Sequence, residues 1–149
     1  MISKQYIGMK IPGPTVEVER QMVRSFAKAI GEEDPIYYSK KAAQSAGFAD
    51  CPAPPTFAFT LNMTSDNPLG YLDEMGVTID RILHGEQSFE YRRPIVVGDV
   101  LKLEGRVCDI FTKKGGALSF IITETSCEDA AGETVVRMRG TTVILPRED

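Results

Sequence analysis

Apolar residues change their spacing once along the chain, near residue 81, and that change predicts a helical first half and a stranded second half. In the first half Met22, Val23, Phe26, Ala27 and Ile30 recur at the spacing of one helix face, and Gly31 supplies a C-terminal stop. A short extended piece at Pro14 to Val18 precedes that helix. Ser39 is placed as N-cap of a second short helix through Lys40 to Ser45, which ends before Gly47. Cys51 to Pro55 contains three prolines, which suit the approach to a helix and not its interior. The run Thr56-Phe57-Ala58-Phe59-Thr60-Leu61-Asn62-Met63 is apolar on nearly every side and predicts a helix buried all round. Asp66-Asn67-Pro68-Leu69-Gly70 ends it with turn residues.

From Arg81 onward the period is two. Leu83, Gly85, Gln87, Phe89 and Tyr91 fall on one face of a strand that Pro94 closes, so strand parity turns His84 away from Leu83 and Phe89. Leu101, Leu103, Gly105 and Val107 alternate with Lys102, Glu104 and Arg106. Turns at Lys114-Gly115-Gly116 and at Asp129 to Gly132 lead into two more strands, giving an antiparallel meander. The simplest packing is an α+β fold in which a curved antiparallel sheet wraps one long central helix. The Arg81 to Tyr91 strand is then an exposed edge, and an exposed edge invites a two-fold dimer.

Composition narrows the classes. The 149 residues are 42% hydrophobic and 26% charged, the make-up of one globular domain over residues 1–149. A net charge of −4, with 17 basic and 21 acidic residues and no basic run, argues against nucleic acid. No stretch resembles a signal peptide or a membrane span, which leads to the expectation of a cytoplasmic protein. Cys51, Cys108 and Cys127 read as structural reduced thiols, and a single histidine makes a metal site an unattractive reading.

The segment Phe26-Ala27-Lys28-Ala29-Ile30-Gly31-Glu32-Glu33-Asp34-Pro35-Ile36-Tyr37, with Ala43 six residues on, resembles the hydratase signature of the MaoC-like dehydratase family. There the frame is an aromatic residue, Gly-Asp-x-Asn-Pro, an aliphatic residue and His. Phe89-Glu90-Tyr91-Arg92-Arg93-Pro94, followed by Gly98-Asp99, is similar to the family's strand ending in Arg-Pro before Gly-Asp. The resemblance implies the hot-dog fold and the hydration of 2-enoyl, or dehydration of (R)-3-hydroxyacyl, thioesters carried on coenzyme A or acyl carrier protein, with no other cofactor. That chemistry needs a group to deprotonate water, one to protonate the α-carbon, and donors for the thioester oxygen.

The sequence departs from the signature at the reacting positions. Glu32 stands for Asp, Asp34 for Asn and Tyr37 for His. A phenol titrates near pH 10 against about 6.5 for imidazole, so Tyr37 donates a hydrogen bond but is a poor base. Pro54 and Pro55 lack N–H groups where the central helix would otherwise aim donors, leaving those of Thr56 and Phe57. The run Ala-Pro-Pro-Thr-Phe resembles a subgroup of non-catalytic dehydratase subunits completed by a catalytic partner. Candidate catalytic positions are thus Glu32, Asp34, Tyr37 and His84; candidate substrate contacts are Pro55, Thr56, Phe57, Gly85 and Arg93. Two further readings stay open: a self-sufficient homodimer using Glu32 or Asp34 with His84 or Tyr37, and an acyl-thioester binder without turnover. For His84 the structural alternative is a hydrogen-bonded imidazole at a dimer seam.

Overall fold

The computed structural model describes residues 2–146. Five strands, β1 (Lys10–Glu17), β2 (Ile82–Tyr91), β3 (Val100–Lys113), β4 (Leu118–Glu128) and β5 (Thr134–Ile144), form one antiparallel sheet in the order β1-β3-β4-β5-β2. The meander β3-β4-β5 is therefore as the alternation predicts, and β2 is an edge strand. Lys114, Gly115 and Gly116 all take positive φ at the first hairpin. At the second, Asp129 Oδ1 accepts from the N–H groups of Ala131 and Glu133, the local bonding that makes Asp a turn residue.

Helix α1 (Arg20–Ala29) follows β1, and Gly31 ends it at φ 77°. Its apolar face buries Val23 and Ala27 and sets Phe26 edge-on against Phe57, with ring centroids 5.6 Å apart. Helix α2 (Lys40–Ser45) starts where Ser39 Oγ accepts the Ala42 N–H. Beside it Asp50 takes a two-pronged contact from Arg20 at 2.8 and 3.0 Å and another from Lys40 at 3.3 Å, which ties the loop after α2 to α1. Among the described residues no helix is long and apolar enough to cross a membrane.

The central helix departs from expectation. Instead of a long rod, α3 (Ala58–Asn62) has five residues, flanked by turns in which Phe57, Phe59, Met63 and Thr64 N–H groups reach back three residues. The prolines deny N–H groups on one side. On the other, the Thr60 and Thr64 hydroxyls bond the carbonyls of Phe57 and Leu61, competing with the helical ladder. Nor is the helix buried all round. Phe57, Ala58 and Leu61 enter the core, whereas Phe59, Thr60 and Asn62 are half-exposed and Met63 is exposed. Asp66 to Gly70 does not simply end the helical region, because a further helix, α4 (Gly70–Glu74), follows and buries Leu72.

The sheet's concave face carries two apolar clusters. One gathers Val18, Val23, Phe57, Leu61, Leu101, Leu103, Val136 and Met138 around α3. The other gathers Leu72, Val77, Val107, Ile110, Ile121 and Ile144 under α4. Where β1 crosses β3 its register shifts between Pro12 and Thr15, and Gly13 lies so close that a Cβ there would sit 2.6 Å from the Leu103 carbonyl oxygen. Gly13→Ala is accordingly expected to cost about 1–3 kcal/mol, since the obstacle is backbone. The measurement is the urea midpoint; an unchanged midpoint would show that β1 yields there freely.

Candidate functional site

A cleft of about 520 Å³ crosses the concave face between the two clusters. Its floor follows from the strand register. Successive rows read Gly105–Thr125–Met138–Phe89, then Val107–Thr123–Gly140–Gln87, then Ile110–Ile121–Thr142–His84. Thr123, Thr125, Thr142, Gln87 and His84 thus line the cleft where a packed core would place aliphatic side chains. Phe59 and Asn62 of α3, with Met63 just after it, face them, and Leu69 and Tyr71 come from the α4 side. Burial raises the Tyr71 phenol above its ordinary value, with the neighbouring Thr142 hydroxyl opposing the shift.

His84 is on this concave face, contrary to the strand-parity expectation that it points away from Phe89. The ladder between β2 and β5 shifts between His84 and Glu86, so Gly85 is an extra residue. Parity inverts across it: Ile82 and His84 share the inner face with Gln87, Phe89 and Tyr91, while Leu83 turns outward and is 54% exposed. The imidazole stacks on Phe59, centroids 5.3 Å apart and planes inclined by 28°. Gly85 permits the bulge because a Cβ would lie 3.0 Å from a Val143 methyl and 3.1 Å from the Thr141 carbonyl.

Glu32, Asp34 and Tyr37 come together at the C-terminal end of α1, away from the cleft. The Glu32 N–H bonds the Ala27 carbonyl, and Tyr38 donates its hydroxyl proton to the Glu32 carbonyl. Asp34 Oδ1 accepts the Ile36 N–H at 3.0 Å and caps a 3-10 turn over Pro35–Tyr37. Burial, and after it the charges of Glu32 and Asp34, push the Tyr37 phenol above its ordinary value. None of these three residues lines the cleft that holds His84, so a single chain does not pair its imidazole with its acidic loop.

The remaining candidates divide. The Phe57 N–H donates to the Pro54 carbonyl and its ring is in the core, so the chain already uses both. Thr56 is exposed. Pro55 offers its carbonyl to the Tyr91 hydroxyl at 2.7 Å, which fastens the proline segment to β2. Arg93 spans Asp99 at 2.8 and 3.1 Å and Asp129 at 3.3 Å, so both guanidinium ends already meet carboxylates. Asp99 in turn caps the Val96 N–H. The Arg-Pro and Gly-Asp residues of that segment therefore form a clamp between the end of β2 and the β4-β5 hairpin. The sequence reading missed the polar floor of Thr123, Thr125 and Thr142; its signal was glycine inside two long strands, Gly105 and Gly140, beside threonines at inward positions.

A model of the FAS1-like dehydratase domain region matches residues 5–138. The chain belongs to this family. A UPF0336 protein of Saccharopolyspora erythraea is 34% identical over 143 residues, covering 95% of this chain and 90% of the relative. Among solved structures, a chain of the HadBC (3R-hydroxyacyl-ACP dehydratase) complex from Mycobacterium tuberculosis aligns with a TM-score of 0.81 and 25% identity over 93% of this chain and 96% of that one. A MaoC-like dehydratase aligns with a TM-score of 0.83 and 29% identity, over 95% of this chain and 42% of the other. The fold is the hot-dog fold of MaoC-like hydratases and dehydratases, as the two motifs imply.

The Tyr91 phenol holds the C-terminal end of the proline segment, whose start is fastened by backbone hydrogen bonds of Cys51 and Ala53 with Val97 and Ile95. Burial pushes Tyr91 up to about 12. A phenol with a raised folded-state value stabilises fully below its ordinary value near 10, and the contribution is lost as pH rises from there towards the folded value. A difference titration of the wild type against Tyr91→Phe is expected to show no phenolate from this residue around pH 10. Neutral-pH denaturation should show the variant destabilised by about 1 kcal/mol, one hydrogen bond. Phenolate absorbance from Tyr91 at its ordinary value would refute the buried bond.

Proposed function

We propose that the chain is one subunit of an acyl-thioester hydratase or dehydratase, lining part of the acyl path while a partner with the intact Asp/His pair moves the protons. The loop from Gly31 to Tyr37 carries this reading. It keeps the family's frame, but where the resemblance places imidazole it holds Tyr37, whose phenol burial and two carboxylates push away from neutrality.

Hydration adds the oxygen of water to C3 of a 2-enoyl thioester and a proton to C2, and dehydration reverses both. Either direction needs a group that accepts a proton near neutral pH. Tyr37, protonated there, is a donor only. Asp34 already accepts the Ile36 N–H, and the chain's one imidazole stacks on Phe59 in the cleft instead of joining that loop. What the chain does offer is a path: a cleft of acyl dimensions whose outer wall is the edge strand β2. A second hot-dog subunit laid along that edge would close it, and the likeness to a chain of a 3R-hydroxyacyl-ACP dehydratase complex supports such pairing. Coenzyme A and acyl carrier protein are both admissible carriers of the thioester.

The test is hydration of short and long 2-enoyl-CoA substrates by the purified chain, by a MaoC-like protein from the same genome carrying Gly-Asp-x-Asn-Pro-x-His, and by the two mixed. General acid–base catalysis contributes roughly 100- to 10,000-fold, so the chain alone is expected to trail the mixture by at least about 100-fold. Robust hydration by the chain alone would sink the reading. So would a mixture no faster than the MaoC-like protein by itself.

A further inference from the structure

The floor of the cleft poses a chemical problem for a plain alkyl tail. Thr123, Thr125, Thr142 and Gln87 occupy consecutive inward rows on β4, β5 and β2, between two clusters built almost wholly from aliphatic side chains. The polar atoms of Thr123, Thr125 and Gln87 lie over glycines. A Cβ at residue 140 would meet Gln87 Oε1 at 3.1 Å and Thr123 Oγ1 at 3.4 Å, and one at residue 105 would meet Thr125 Oγ1 at 3.2 Å. These atoms therefore cap the gaps that the glycines leave. Asn62 and Ser65 add further polar groups from the opposite wall.

Among the described residues, no hydrogen bond within the chain engages the hydroxyl of Thr123 or Thr125, whereas the Thr142 hydroxyl meets the Tyr71 phenol and Gln87 Nε2 donates to the Ser88 carbonyl, each keeping a further position for a hydrogen bond; no fully buried side-chain polar atom lacks a partner. The hydroxyls are thus open to whatever fills the cleft. A saturated chain laid over them would strip their water and return nothing, which costs roughly tenfold or more in affinity for each group left unmade. An oxygen function on the chain would return the bond, and a site built to hydrogen-bond such a group discriminates strongly against the analogue lacking it.

We propose that the acyl group held in this cleft carries an oxygen function, a hydroxyl or keto group beyond C3, recognised by Thr123, Thr125, Thr142 and Gln87. This rests on the acyl-path reading above and names the class of acyl group for the same cleft. Phe59, Met63, Leu69 and Met138 contact the hydrocarbon on either side of that oxygen. Gln87 offers both a donor and an acceptor, and a threonine hydroxyl can act as either, so hydroxyl and keto groups are both matched.

The experiment measures binding of pantetheine thioesters, which removes the choice of carrier from the result. Octadecanoyl-pantetheine is compared with a positional series of hydroxy- and oxo-octadecanoyl-pantetheines, using the chain alone and the chain with its MaoC-like partner. At least one oxygenated isomer is expected to bind roughly tenfold tighter than the plain chain. In the double variant Thr123→Val, Thr142→Val that preference should collapse while octadecanoyl-pantetheine binds as tightly or tighter, a gain that a misfolded protein could not produce. Equal binding of plain and oxygenated chains by the wild type overturns this proposal and leaves the acyl-path reading standing. Failure of every thioester to bind, with and without the partner, overturns both.

Discussion

The concave face of the sheet is far longer than the helix that fills it, and most of what is distinctive in this molecule follows from that mismatch. Fourteen residues of β3 extend for about 46 Å, while the five residues of α3 rise only about 8 Å. One helix therefore covers one cluster of inward residues, and a second cluster needs α4. The cleft between them meets α3 only through Phe59 and Asn62. On its floor Thr123, Thr125, Thr142, Gln87 and Gly140 stand beside the aliphatic Val107, Ile110 and Ile121, because an open cleft must tolerate water or a ligand.

The shortness of α3 has a local origin. Prolines withhold N–H groups at its start, and Thr60 and Thr64 hydroxyls draw off carbonyls along its length. The same proline segment is held to β2 by the Tyr91 hydroxyl, and the end of β2 is held by Arg93 between Asp99 and Asp129. The two family motifs thus persist as structural fastenings. Arg93 is a clamp and Asp34 a cap, each with its charge or lone pairs engaged inside the chain.

Much of the fold was legible in the sequence. Helix spacing placed α1, Ser39 and Gly47 bracketed α2, and the period-two stretches gave the meander, because each of these signals is local and is read within one element. The MaoC-like motifs imply the hot-dog fold from two short segments. The site was less legible. Parity puts His84 on the wrong face relative to Phe89, since it counts residues and cannot see that Gly85 is left over when β2 pairs with β5. The polar floor was missed because Thr123, Thr125, Thr142 and Gln87 are far apart in the chain and become neighbours only through cross-strand register.

That the chain has the hydratase frame without its imidazole follows from the sequence alone, since Tyr37 stands where the motif has His and folding cannot turn a phenol into an imidazole. It also determined which segments alternate and which wind. Tertiary contacts alone put the one imidazole in a cleft that none of Glu32, Asp34 and Tyr37 lines, and leave threonines and a glutamine on that cleft's floor. The physical reason is that these properties depend on the match in length between a helix and the sheet around it, and on a single unpaired residue in one ladder. Both are relations between elements, fixed only when the elements meet.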